Sequence, residues 1–198
     1  MLRFASNLFL AAWFGLFTAA VIQSHRAADW SQVQGFDHAA AKNAAPPLMD
    51  RMEQTVWRRN ATLELNEADV NRYLAATIQG RQSPFTTSMK PFERVALDFE
   101  PGVARICLTW GGADGKRSTT ASLDFTVKRE GGNFVVEVQR GAFGRLPLPR
   151  GVMSALVPSL QSLSQSLQSE IHTVFQMNQI RFEKDKVILD PRSETVKS

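Results

Sequence analysis

Between residues 94 and 139 apolar and polar side chains take turns, which is the period-two pattern of half-buried strands. Val95, Leu97 and Phe99 alternate with Arg94, Ala96 and Asp98. Ile106, Leu108 and Trp110 alternate with Arg105, Cys107 and Thr109, and Leu123, Phe125 and Val127 with Asp124, Thr126 and Lys128. Phe134, Val136 and Val138 then stand against Glu137 and Gln139. Turn signals separate the runs at Pro101-Gly102, at residues 111–115 and at Gly131-Gly132-Asn133. Four such runs joined by short turns predict an antiparallel meander with one apolar face and one wet face. Parity puts Cys107 on the wet face, as an exposed thiol.

On either side the period is helical. Pro46-Pro47 opens a short helix carrying Leu48, Met52 and Val56, since proline suits a first helical turn. Thr62 to Leu65 is extended. Asn66 is a good N-cap, Glu67 and Asp69 suit the positive end of a helix dipole, and Val70, Leu74 and Ile78 share one face up to Gly80. After the meander, residues 141–149 (GAFGRLPLP) read as a rigid loop before a long helix. There Leu156, Leu160, Leu163, Leu167, Ile171 and Val174 form a narrow stripe able to pack across a sheet. Pro158 predicts a kink or a fresh start in it. Its opposite face is uncharged: Ser159, Gln161, Ser162, Ser164, Gln165, Ser166, Gln168 and Ser169. Ile180, Phe182, Val187 and Leu189, split by Lys184-Asp185, predict a final hairpin, and residues 191–198 a disordered tail.

Residues 4–22 contain no charged side chain, and Arg3 precedes them. This run predicts a membrane-targeting segment, either an uncleaved spanning helix or a signal with Thr18 and Ala20 at a processing site. Arg3 favours an inside amino terminus, giving a single-pass inner-membrane protein with its domain outside the cytoplasm, or a secreted or periplasmic one after cleavage. The expected organisation is an anchor over residues 1–22, a tether over 23–46, one domain over 47–190 and a tail over 191–198.

Composition narrows the chemistry. The net charge of +4 comes from scattered Lys and Arg without interleaved aromatic residues, which argues against a nucleic-acid partner. A single cysteine excludes an intramolecular disulfide framework. His25, His38 and His172 have no metal-ligand spacing, and Cys107 has no CxxC companion. No GxSxG elbow, P-loop or GxGxxG is present, so no catalytic residue, cofactor or metal ligand is assigned.

The segment Leu65-Asn66-Glu67, with Asn71 and Leu74 following, and the later loop over residues 144–160 (GRLPLPRGVMSALVPSL) together resemble the YpmS-like families of small membrane-anchored bacterial proteins. Those families carry an L-T/N-E-x-x-x-N-x-x-L segment and a G-x-L-P-L-P loop. The similarity covers roughly residues 60–175, with Asn66 where threonine is more usual. It implies an extracytoplasmic α+β domain and brings no assigned activity.

The expected fold is thus α+β: a transmembrane helix, then a curved antiparallel meander packed by a long Leu-rich helix and a final hairpin. Two functions follow. One is a binding module for a lipid or another apolar ligand, lined by Val95, Leu97, Phe99, Ile106, Leu108, Trp110, Phe125, Phe134 and Val136, with residues 141–149 as hinge. The other is a scaffold or accessory subunit of a cell-envelope complex, docking through Ser162, Gln165 and Ser169. The expected partners are accordingly the lipid bilayer, through the first helix, and an apolar ligand or envelope protein.

Overall fold

The computed structural model describes residues 2–36, 46–81, 92–111, 118–149, 151, 153 and 157–192, with the side chains of residues 2–11, 79–81, 92, 157–159 and 162 left undescribed. Among the described residues five helices, α1 (Leu2–His25), α2 (Leu48–Arg58), α3 (Glu67–Arg81), α4 (Val157–Ser166) and α5 (Gln168–Phe175), accompany two antiparallel sheets. The larger sheet runs in sequence order through β2 (Phe92–Glu100), β3 (Val103–Trp110), β4 (Thr119–Glu130), β5 (Asn133–Phe143) and β6 (Leu146–Leu148). The smaller has the order β1 (Leu63–Asn66), β8 (Lys186–Asp190), β7 (Gln179–Glu183).

The alternation in the sequence becomes the two faces of the larger sheet. Leu97 opposes Ile106, Ile106 opposes Leu123, and Val127 opposes Val136, so each apolar run stacks on the next. A bulge between Asp124 and Phe125 pairs Asp124 with Arg140 but Phe125 with Val138, keeping Val138 on the apolar side. The β4–β5 turn is the pair Gly131-Gly132 with φ of 57° and 91°, as a two-residue hairpin turn demands.

The smaller sheet and the helices cover that apolar face. Leu63, Leu65, Val187 and Leu189 meet Leu48 and Met52 of α2, Val70, Leu74 and Ile78 of α3, Leu163 of α4, and Val95, Phe99 and Leu108 of the larger sheet in one core. Phe182 of β7 stacks on Phe99 with centroids 5.7 Å apart and meets Phe125 edge-on at 5.9 Å.

Several expectations are corrected. Among the described residues no helix is long and apolar enough to cross a membrane. Helix α1 spans Leu2–His25, its described side chains beginning at residue 12 and its apolar ones ending at Ile22. Beyond them the chain is tied to the domain: the Gln23 carbonyl accepts the Arg145 N–H at 3.0 Å, and Gly144 (φ 59°) approaches Ser24 and Arg26 so closely that a Cβ would strike their carbonyl oxygens. The single-pass, N-in inner-membrane assignment therefore loses its support.

The stretch read as a tether is also structured as far as Phe36. Trp30, Val33 and Phe36 pack on Ala96 and Cys107 across the supposedly wet face of the larger sheet, and Cys107 is completely buried there. Ala28 N–H donates to Thr120 Oγ1 at 2.9 Å, and Arg145 Nε donates to the Ala27 carbonyl at 3.1 Å. Residues 37–45 lie outside the description.

The proposed hinge is a hairpin: β5 continues to Phe143 and turns at Gly144-Arg145 into β6, where Pro147 sits on an edge strand that asks it for no N–H. The long Leu-rich helix is two helices. The described helix starts afresh at Val157, as expected, with Pro158 in the first turn of α4, where its missing N–H costs no hydrogen bond, and a further break falls at Leu167 (φ −113°, ψ 23°). The final hairpin forms as expected with Asp185 at φ 60°, but it joins β1 in a sheet of its own. At the carboxyl end Pro191 is buried and Arg192 pairs with Asp190, while residues 193–198 lie outside the description.

Candidate functional site

The features that build the site begin at the edge of the larger sheet. Strand β2 presents unpaired N–H and C=O groups on its outer side, an arrangement that invites another strand unless it is covered. Helix α3 covers it with two side chains one turn apart. Asn71 Nδ2 donates to the Leu97 carbonyl at 2.8 Å, and Asn71 Oδ1 accepts the Leu97 N–H at 2.7 Å, so the amide imitates a neighbouring strand. Glu67 Oε2 accepts the Phe99 N–H at 2.7 Å. The same two side chains hold the amino-terminal segment: Glu67 Oε1 accepts the Gln34 N–H at 2.6 Å, and Asn71 Nδ2 donates to the Gln34 carbonyl at 2.7 Å. Both residues are fully buried. Burial pushes the Glu67 carboxyl above its ordinary pKa, against the pull of the two backbone N–H groups.

Glu67, read from sequence as a helix-dipole acid, is therefore a clamp, whereas Asn66 is the cap expected, its Oδ1 accepting the Asp69 N–H at 2.8 Å. A sequence signal for the clamp existed. Glu67 and Asn71 share a face with Leu74 and Ile78, and polar side chains on a buried stripe must have partners.

With α3 fixed along β2, the helices bridge the apolar face without filling it. A cavity of about 390 Å³ remains between the larger sheet, the smaller sheet and the helices. Its floor is Leu97, Phe99, Ile106, Leu123, Phe125, Val127, Val136 and Val138; its roof includes Leu160, Leu163, Leu167, Ile171, Val174 and Phe175. The size falls in the range of ligand pockets, about 300–1,000 Å³. Tyr73, Ser164 and Glu170 bring the few polar groups of the wall, and the Tyr73 hydroxyl donates to Glu170 Oε1 at 2.7 Å. Four apolar lining residues are also exposed to solvent: Val136 (48 %), Val138 (42 %), Ile171 (36 %) and Phe175 (43 %). They mark the mouth, between β5 and α5. At one end of it the rings of Phe134 and Phe175 lie 5.6 Å apart.

Of the ligand-lining residues expected from sequence, Leu97, Phe99, Ile106, Phe125 and Val136 line the cavity. Val95 and Leu108 do not, because α3 and β1–β8 pack directly on that end of the sheet and bury them. Trp110 is drawn into a small cluster with Ala121 and Leu123, and Phe134 lies in a neighbouring groove beside Arg129 and Ile180. Gln165 and Ser169 share an open depression of about 780 Å³ with Ser164, Gln168, Ile171, His172 and Phe175. The side chain of Ser162 lies outside the described residues.

The opposite face holds an ion network that does not reach the cavity. Arg105 bridges Asp124 (Nε to Oδ1, 2.6 Å) and Asp98 (Nη1 to Oδ2, 3.0 Å). Hydrogen bonding to Asp124 raises the Arg105 pKa, while burial raises that of Asp98. Burial also pushes the Cys107 thiol far above its usual range, which keeps it protonated and unreactive. Among the described residues no cluster of three His, Cys, Asp or Glu side chains is placed to hold a metal ion.

No family model matches the chain, and no curated protein matches it in sequence. The geometry of the site alone carries the functional argument.

Proposed function

We propose that the chain is a binding module that takes a hydrocarbon chain into the cavity between the larger sheet and helices α3 to α5. The observation that carries this is the cavity itself. It is about 390 Å³, walled by aliphatic and aromatic side chains, and opens between Val136, Val138, Ile171 and Phe175. A well-packed core closes such a space because each unfilled region forfeits dispersion contacts. Apolar residues left in solvent at its rim add a second cost that an apolar guest removes. The wall offers nothing to bind a polar metabolite whole, so the guest is recognised by burial, and its polar end remains at the rim.

The test is a chain-length series. Saturated fatty alcohols of increasing length are titrated into the full chain against the fluorescent apolar probe N-phenyl-1-naphthylamine. Affinity should rise about fourfold for each added methylene, from about 0.8 kcal/mol per buried CH2, until the cavity is full, and then level off. Val136→Trp, placed at the half-exposed mouth, should weaken binding at least tenfold with little change in melting temperature. Absence of saturable displacement, or an affinity independent of chain length, would rule the reading out.

A further inference from the structure

Resting on that reading, we infer that the guest is a single-chain amphiphile with an uncharged, hydroxyl-bearing head, and that the Ser/Gln face of α4 and α5 is the seat of that head. The cavity and the open depression beside it are continuous: Ser164, Ile171 and Phe175 line both. A chain leaving the cavity past Ile171 and Phe175 therefore emerges onto Gln165, Gln168 and Ser169. These side chains carry both donors and acceptors, the set that matches a hydroxyl, which is itself both. None carries a charge, so none balances an ionised carboxylate or phosphate at the point where the chain comes out. His172, the one titratable group lining the depression, has its Nε2 2.8 Å from Gln176 Nε2. Across the mouth Arg129 is the cation nearest by sequence to the rim residue Phe134. Its guanidinium donates to the backbone carbonyl and side chain of Asn178 and lies over the Phe134 ring, 5.8 Å from the centroid.

The uncharged face thereby acquires a reason. An ordinary solvated helix face carries Lys and Glu for solubility; a face that must hydrogen-bond a neutral head next to an apolar opening is better without them, since a fixed charge there would have to be desolvated on binding.

The experiment uses the full chain and three probes of one chain length: 1-monomyristoylglycerol, myristic acid at pH 8, where it is ionised, and tetradecane, which has no head. Monomyristoylglycerol should displace N-phenyl-1-naphthylamine at least tenfold more strongly than myristate. Gln165→Leu and Gln168→Leu should each weaken the monoacylglycerol about fivefold, the value of one net hydrogen bond, and leave tetradecane within twofold. Equal affinity for the three probes, or a preference for glycerol untouched by the two substitutions, would overturn the head assignment while leaving the cavity reading intact. Tighter binding of myristate, abolished by Arg129→Gln, would overturn it in favour of an anionic head on the β5 side. Failure of all three to displace the probe would sink the cavity reading itself, and this inference with it.

Discussion

The edge clamp makes a sharp quantitative claim, because two asparagines of one short segment should differ several-fold in what their amides are worth. Asn71→Ala removes three hydrogen bonds, to the Leu97 N–H, the Leu97 carbonyl and the Gln34 carbonyl, all between 2.7 and 2.8 Å. At a net value of about 1 kcal/mol each they total about 3 kcal/mol, and stranding the buried backbone groups raises this toward 5. The better helix propensity of alanine returns at most about 0.7 kcal/mol. The net loss should be about 2–4 kcal/mol, a large share of the 5–15 kcal/mol typical of a domain. Asn66→Ala deletes one exposed cap hydrogen bond and should cost about 1 kcal/mol. Asn71→Asp refines the test. It keeps the shape and the Leu97 N–H bond but replaces the double donor with a carboxylate oxygen facing two carbonyl oxygens, so it should cost at least as much as Asn71→Ala at pH 7. Part of that loss should return near pH 4, where the new carboxyl takes up a proton and can donate once. Urea unfolding of the full chain, followed by circular dichroism at both pH values, measures all three. An Asn71→Ala loss no larger than that of Asn66→Ala would refute the clamp.

Other consequences can be checked together. Burial raises the Glu67 pKa in the fold, so the folded state binds a proton that the unfolded state releases at the ordinary value near 4.5. The wild type should therefore gain stability relative to Glu67→Gln as pH falls from neutrality through that raised value toward 4.5. An unfolding series showing no such relative gain would remove the argument. Leu163→Ala should cost about 2–5 kcal/mol, since Leu163 is only 5 % exposed, with Leu160→Ala and Leu167→Ala costing less because both side chains are only partly buried. Equal losses at the three positions in thermal melts would refute this ranking by burial. Cys107, wholly buried beneath Trp30 and Val33, should react with a thiol reagent only at the rate of unfolding. Fast labelling of the native chain would show that residues 26–36 do not cover the sheet.

Much of the local structure was readable from the amino-acid order, because it depends on interactions within a few residues. The strict alternation around Val95 to Phe99, Ile106 to Trp110, Leu123 to Val127 and Phe134 to Val138 specifies strands. Glycine pairs specify tight turns, and Asn66 marks a helix start through a bond to an amide three residues away. Which side of a sheet is covered, and by what, is a different matter. Parity correctly separated the two faces, but it labelled the face of Cys107 as wet. That face is buried by residues 26–36, whose isolated Trp30 and Phe36 have no period to reveal a docking surface. The apolar run at the amino terminus read as a spanning segment, yet among the described residues no helix is long and apolar enough to cross a membrane.

The site divides along the same line. Sequence alone determined that an apolar sheet face exists and that a Leu-rich helical stretch accompanies it. Only tertiary structure decided that Val95 and Leu108 are core while Leu97, Phe99, Ile106, Phe125 and Val136 face a cavity. The distinction rests on where α3, held by Glu67 and Asn71, happens to lie across the sheet. Side chains of identical character become core or binding wall according to the atoms packed opposite them, and those atoms come from distant parts of the chain. The break at Leu167 and the meeting of the Ser/Gln face with the cavity mouth belong to that second kind of information. Both arise from packing between elements, which no single stretch of sequence contains.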